Sequence, residues 1–290
     1  MNQVVHSTKN KKMTSPLVDA EWLHNQMNQT IIILDASQKN NISNKTPKYP
    51  NKVIPGAIDV DLKRDLSDPE GAFPNTFPLT SQFQETAQRL GVNHNSTIVV
   101  YDNLGIYNSP RVWWLFKAMG HEKVYVLDGG LSAWVDAGYE TSTEHSTATT
   151  KGNFIARLNS ESVKSYSDVL NNISTQDCSV LDARSKGRFD GTAPEPREGL
   201  GSGHIPNSKN LPYTEVLDGE FMKSKEELKF IFDCFSLPEK PIIFSCGSGL
   251  TACIILLAAS LVSEKPLSVF DGSWTEWAST EGALIEKLNT

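Results

Sequence analysis

No stretch of this chain stays apolar for the roughly 20 residues that a membrane-spanning helix needs. The most apolar run, Cys253 to Val262, has the length of a buried core helix. A basic excess is missing too. The net charge is −7, whereas binding nucleic-acid phosphates requires clustered Lys and Arg. Neither nucleic acid nor a membrane is therefore expected as a partner. The basic run Lys9–Lys12 sits in a polar leader without aromatics and reads as a solvated tail. That leader, residues 1–14, lacks the apolar core of a secretory signal and the Arg content of a mitochondrial presequence, which points to the cytosol. Met13 offers a second start, so residues 1–12 are dispensable on this reading. Cysteines are few. The four (Cys178, Cys234, Cys246, Cys253) form no CxxC pair and have no metal-ligand spacing with His. A disulfide framework and a metal centre are both excluded, and free thiols are expected, one of them reactive.

At 290 residues the chain has room for two ordinary domains, and it reads as one pattern written twice. Ile31–Ser37 recurs as Ser179–Arg184, and Ile54-Pro55-Gly56-Ala57 as Ile205-Pro206-Asn207-Ser208. Ser81-x-x-Gln84 recurs as Ser224-x-x-Glu227, both readable as capping boxes that open a helix. Ile98–Asp102 answers Ile242–Cys246, and Leu127-Asp128-Gly129-Gly130 with Trp134 answers Phe270-Asp271-Gly272-Ser273 with Trp277. Five matches in one order are not chance. Each copy alternates short β-branched runs with helical patterns, which predicts an α/β fold with a mostly parallel sheet flanked by helices. Pro110 suits the first turn of a helix that Gly120 stops, and its counterpart runs from about Thr251 to Val262. The expected layout is a first domain over 15–140, a Ser/Thr-rich linker or hinge over 141–160, and a second domain over 161–290. Most matched residues, among them Leu34, Trp134, Ile243 and Trp277, are expected in the core.

Chemistry should lie where one copy carries something the other lacks. After the fourth matched strand, the first copy reads Asp102-Asn103-Leu104-Gly105 and the second Cys246-Gly247-Ser248-Gly249-Leu250-Thr251-Ala252. A cysteine at the carboxyl end of a strand, in a glycine-containing loop that feeds a helix, stands where open α/β sheets bind ligands. Gly247 and Gly249 let successive N–H groups turn inward as a nest for an anion. The following helix end favours the Cys246 thiolate, and Ser248 and Thr251 add hydroxyls. A cysteine serving only as a small hydrophobe would need no such loop. Cys178 and Cys253 suit structural positions, and Cys234 has no evident role.

This loop resembles the active-site loop of 3-mercaptopyruvate sulfurtransferases, a tandem-domain branch of the rhodanese superfamily. Ile54–Ala57, Pro110–Trp114, Leu127–Gly130, Gly203–Pro206 and Asp271–Trp274 resemble that family too, so the likeness spans residue 15 to the C-terminus. It implies two tandem rhodanese-like domains, the first inactive, with Asp102 standing where Cys246 would be. Cys246 would attack the sulfur of 3-mercaptopyruvate, pyruvate would leave, and the persulfide would pass its outer sulfur to thioredoxin, a small thiol or cyanide, with no cofactor. The loop residues Gly247, Gly249, Leu250 and Thr251 would surround the bound donor. Arg188 and Arg197 match the two family arginines that clamp the substrate carboxylate, for which guanidinium forks are suited. Sulfurtransferases specialised for thiosulfate carry basic residues after the cysteine. Gly247, Ser248 and Gly249 are neutral, which favours mercaptopyruvate and leaves thiosulfate:cyanide transfer as the alternative. Family relatives assign a proton relay to the loop serine, here Ser248. Asp61 matches a family aspartate in the same first-domain segment, whereas Asn75 and Lys63 replace the histidine and the acidic residue of that relay.

Two other classes compete. A cysteine phosphatase on this fold needs Cys-(x)5-Arg, and the residue six beyond Cys246 is Ala252. A non-catalytic binding module would not need the intact cysteine loop.

Overall fold

The computed structural model describes residues 15–27, 30–38 and 45–288, so the leader 1–14 lies outside the described residues. The first repeat contributes strands β1 (Leu17–Val18), β2 (Ile31–Asp35), β3 (Ile58–Asp59), β4 (Thr97–Tyr101) and β5 (Val124–Leu127). The second contributes β6 (Val163–Lys164), β7 (Ser179–Asp182), β8 (Lys209–Asn210), the hairpin β9 (Leu217–Asp218) and β10 (Phe221–Met222), then β11 (Ile242–Ser245) and β12 (Leu267–Phe270). The two five-stranded sheets have orders β1-β5-β4-β2-β3 and β6-β12-β11-β7-β8, one topology used twice, and every pairing within them is parallel. Such strands are covered on both faces, which explains runs like Ile31-Ile32-Ile33-Leu34 without polar alternation.

The helices of the first repeat are α1 (Ala20–Gln26), α2 (Leu62–Asp65), α3 (Thr80–Arg89), α4 (Ser109–Ala118) and α5 (Gly130–Asp136). Those of the second are α6 (Tyr166–Thr175), α7 (Lys186–Asp190), α8 (Lys225–Cys234), α9 (Ala252–Val262) and α10 (Ser273–Ser279). Trp134 on α5 and Trp277 on α10 cover the outer faces of the two sheets, each about 1% exposed or less. Truncating an aromatic buried this way to Ala costs about 3–5 kcal/mol. The inner faces meet in a single core in which α4 packs on α9. Buried between its own sheet and α4, α9 is apolar all round. This packing sets the loop after β4 beside the loop after β11.

Two local expectations change. Ser224 and Glu227 do form a capping box at α8, but Ser81 lies inside α3, where Gln82 Oε1 accepts from Leu79 N at 3.0 Å instead. The segment over 141–160 is not a free hinge. Ser142 exchanges backbone bonds with Val53, Ser146 N donates to Ala57 O, Phe154 N donates to Val92 O, and Arg157 N donates to Met119 O. Phe154 is 1% exposed, packed edge-on to Phe83. The linker is a strap laid along the first repeat.

Candidate active site

Cys246 follows β11 directly and lines a cavity of about 230 Å3 at the junction of the repeats. Arg184, Arg188 and Arg197 form one wall, Tyr107 and Tyr213 another, and Gly247, Ser248, Leu250 and Thr251 the floor. A trans peptide is planar, with its C=O and the next N–H directed oppositely. The loop carbonyls are held from behind. Cys246 O accepts from Trp274 N at 2.9 Å, and Gly247 O from Thr275 N at 3.0 Å and Thr275 Oγ1 at 2.6 Å. Gly249 O accepts from Arg111 Nη1 and Cys253 Sγ, both at 3.3 Å. The N–H groups of Gly247, Ser248 and Leu250 therefore face the other way, toward the cavity that these residues line. Among the described residues, neither they nor the Thr251 N–H has a hydrogen-bond partner. Cys246 stands over a set of donors with the arrangement that suits an anion.

The expected part for Gly249 is different. Its N–H and that of Cys246 both donate to Ser273 Oγ, at 3.1 and 3.2 Å, and Gly249 is not on the cavity wall. It serves the turn instead. Its φ is +75°, and a Cβ there would lie 2.9 Å from Arg111 Nη1 and from Asp271 O.

The arginine wall is a buried chain of charge pairs. Arg184, whose side chain is fully buried, binds Asp182 through Nε and Nη2 and Glu195 through Nη1, and its guanidinium lies 4.1 Å over the Trp274 ring. Arg188 gives Nε and Nη2 to Glu195, the latter at 2.6 Å. Its Nη2 approaches the loop so closely that a Cβ on Gly247 would meet it at 3.0 Å. Arg197 Nη1 donates to Thr275 Oγ1 at 2.8 Å. Burial lowers the Arg197 pKa from the ordinary arginine value, opposed by the Cys246 sulfur and reinforced by Arg188. Cys253, behind the loop, has its thiol pushed up to about 12 by burial, and its Sγ donates to Gly249 O.

In the first repeat the same loop is closed. The Asp102 carboxylate accepts from the N–H groups of Leu104, Tyr107, Asn108 and Ser109 and from Ser109 Oγ, at 2.8 to 3.0 Å.

The rhodanese-like domain family matches residues 19–137 and again 165–280. The chain belongs to the rhodanese family. It is 38% identical to the 3-mercaptopyruvate sulfurtransferase of Mus musculus over 90% of this chain and 91% of that one. It is 36% identical to the mitochondrial thiosulfate/3-mercaptopyruvate sulfurtransferase 1 of Arabidopsis thaliana, over 98% and 82%. Among solved structures it resembles the 3-mercaptopyruvate enzyme SseA of Escherichia coli, with TM-score 0.79, 33% identity, and 90% and 99% of the two chains covered.

Within this rhodanese chain, the structure brings together Cys246, Gly247, Ser248, Leu250, Thr251, Arg188 and Arg197. It does not bring Asp61 to Ser248. The Asp61 side chain caps α2, accepting from Lys63 N and Arg64 N at 2.9 Å, as a carboxylate before a helix commonly does. Asn75 meets Ser248 instead, its Nδ2 donating to Ser248 Oγ at 3.2 Å and Ser248 O at 3.1 Å. Residues that sequence reasoning missed act across the chain. Arg111, 1% exposed on α4, binds Asp271 and Asn75 O at 2.7 Å each besides Gly249 O. The only sequence signal for it was its place in the Pro110–Trp114 motif. Arg184 could have been noticed as the residue that stands opposite Ser37 in the repeat.

Proposed function

We propose that this chain is a sulfurtransferase that takes sulfur from 3-mercaptopyruvate onto Cys246. The observation that supports it best is the set of loop N–H groups around Cys246 that are unpaired among the described residues, facing Arg188 and Arg197 across a small cavity. The arginines hold the donor carboxylate and place its thiol sulfur on the Cys246 thiolate. Attack forms the S–S bond and breaks the C–S bond. The electron pair leaves as the enolate of pyruvate, which takes up a proton, and the loop amides stabilise charge on the resulting persulfide. An acceptor thiolate then attacks the outer sulfur and returns Cys246 to the thiolate. Thioredoxin, a small thiol or cyanide fits that second step. A dithiol acceptor carries the sulfur on to hydrogen sulfide through its second thiol. With Asn75 where the family has histidine, Ser248 receives a fixed amide donor and no titrating partner from that position.

Charge favours a monoanionic donor. Within the arginine wall the three guanidinium groups of Arg184, Arg188 and Arg197 face the two carboxylates of Asp182 and Glu195, which leaves one net positive charge among those five groups. Thiosulfate, a dianion, is the second donor and the weaker fit. The polar leader supports a cytosolic location, although the Arabidopsis relative is mitochondrial by name; subcellular fractionation distinguishes them.

The test is the intact mass of the protein after incubation with 3-mercaptopyruvate. One added sulfur atom is expected on the native chain and none on Cys246→Ser. Sulfur on the serine variant, or brisk hydrolysis of an aryl phosphate by the native protein, would overturn the assignment.

A further inference from the structure

Thr275 lies outside the cavity wall, yet it touches both sides of the site. Its hydroxyl carries one proton. That proton goes to Gly247 O at 2.6 Å, so the bond from Arg197 Nη1 at 2.8 Å is accepted on the hydroxyl's lone pair. Guanidinium, hydroxyl and peptide carbonyl thus form a series in which a cation heads the chain and polarises the bond after it. The carbonyl at its end belongs to the peptide whose N–H is that of Ser248, directed at the cavity. Drawing electron density toward that oxygen strengthens this N–H as a donor. Thr275 is 7% exposed, so water screens its hydroxyl and the bond to Gly247 O little, while Arg197 at the head of the series is half-buried.

The first repeat supplies a comparison. Ser132 stands opposite Thr275 in the duplicated pattern and is also buried, but among the described residues its Oγ has no hydrogen-bond partner. The hydroxyl is engaged only in the repeat that has an arginine and an open loop.

We propose that Thr275 is a positioning residue that couples the Arg197 clamp to the persulfide loop through its hydroxyl. Engagement of a donor carboxylate by Arg197 and the aim of the Ser248 N–H at an anionic sulfur are two ends of one hydrogen-bonded series. The inference rests on the reading of Cys246 as the sulfur-carrying nucleophile.

The test compares Thr275→Val, which keeps the shape and removes the hydroxyl, with Thr275→Ser, which restores it. The first readout is the pH dependence of Cys246 alkylation by iodoacetamide, followed on the Cys246 peptide by mass spectrometry, and it needs no sulfur donor. The second is kcat and KM with 3-mercaptopyruvate. Thr275→Val is expected to move the alkylation midpoint to higher pH and to lower kcat about tenfold, as loss of one charge-assisted hydrogen bond does, with the smaller change in KM. Thr275→Ser is expected to follow the native protein on both. An alkylation profile unmoved by Thr275→Val overturns the proposal, as does a Thr275→Ser protein impaired as far as the valine variant. If Thr275→Val does not fold, Thr275→Ala takes its place with the same readouts. Should the native protein fail to turn over 3-mercaptopyruvate while the alkylation midpoint moves, the donor assignment falls and the coupling stands.

Discussion

Asp102 and Cys246 end the same strand in the two repeats, and only the Asp102 side chain is hydrogen-bonded by the loop that follows it. Four backbone N–H groups and a hydroxyl converge on that carboxylate, while burial pushes its pKa up against their pull. The duplicated loop is thus an anion nest in both copies. One copy fills its nest with its own Asp102 side chain, and in the other the N–H groups of Gly247, Ser248, Leu250 and Thr251 have no hydrogen-bond partner among the described residues. The first repeat is closed rather than decayed, and its closed loop carries Tyr107 into the wall of the open site.

Glu195 sets the charge of that site. Its side chain is 1% exposed and binds Arg184 and Arg188 together. Glu195→Gln removes one negative charge and releases Arg188, so a dianionic donor gains over a monoanionic one. The ratio of kcat/KM for thiosulfate to that for 3-mercaptopyruvate is expected to rise on the order of tenfold, the factor that about 1.4 kcal/mol carries. Breaking a buried pair also costs about 3–5 kcal/mol, so the thermal midpoint falls. Steady-state rates with both donors check the first point, and an unchanged ratio would refute the charge count.

The repeat, the parallel sheets, the span of α9 and the cysteine loop were legible because each is written locally, in β-branched runs, in Pro and Gly punctuation and in the contrast between the loops that start at Asp102 and Cys246. The strap was not. Its bonds to Val53, Ala57, Val92 and Met119 are single crossings without strand or helix periodicity, so a Ser/Thr-rich run looks the same whether it is pinned or free. Gly249 was read correctly as a turn and wrongly as an inward donor, because the sense of one N–H depends on Ser273, 24 positions away. Asn75 and Arg111 reach the site from the other repeat, which no local pattern displays.

His145 fastens the strap by a bond from its Nε2 to Asp35 Oδ2 at 2.9 Å, on the oxygen that also accepts from Tyr101 OH. That bond raises the His145 pKa above the ordinary histidine value of 6.5, partial burial opposes it, and the charges of Asp35 and Asp59 add to it. A histidine raised in the folded state contributes stability that is complete below the unfolded value and is lost as pH rises through the folded one. Amide exchange at Ser142 and Ser146, normalised to intrinsic rates, should show greater protection at pH 6 than at pH 8. His145→Gln should abolish the difference. Protection that rises with pH would reverse the sign and remove His145 as the cause.

Ser273 stands at φ +52° where the first repeat has Gly130 at +53°. Left-handed backbone costs a residue with a Cβ about 1–2 kcal/mol, and this serine accepts from Cys246 N and Gly249 N while donating to Phe270 O at 2.8 Å. Gly130 has no such choice, since a Cβ there would lie 2.3 Å from Asp102 O. Two variants separate strain from function. Ser273→Ala keeps the strain and loses the bonds, whereas Ser273→Gly loses both, so the alanine protein should be the less stable by about 1 kcal/mol in denaturant titration. Both should form the Cys246 persulfide about tenfold more slowly, because the loop loses the hydroxyl that turns two of its N–H groups away from the cavity. If alanine is as stable as glycine, the backbone is not strained. If glycine retains full activity, the loop holds its shape without Ser273, and the brace behind Cys246 must then rest on Trp274 N and Thr275 alone.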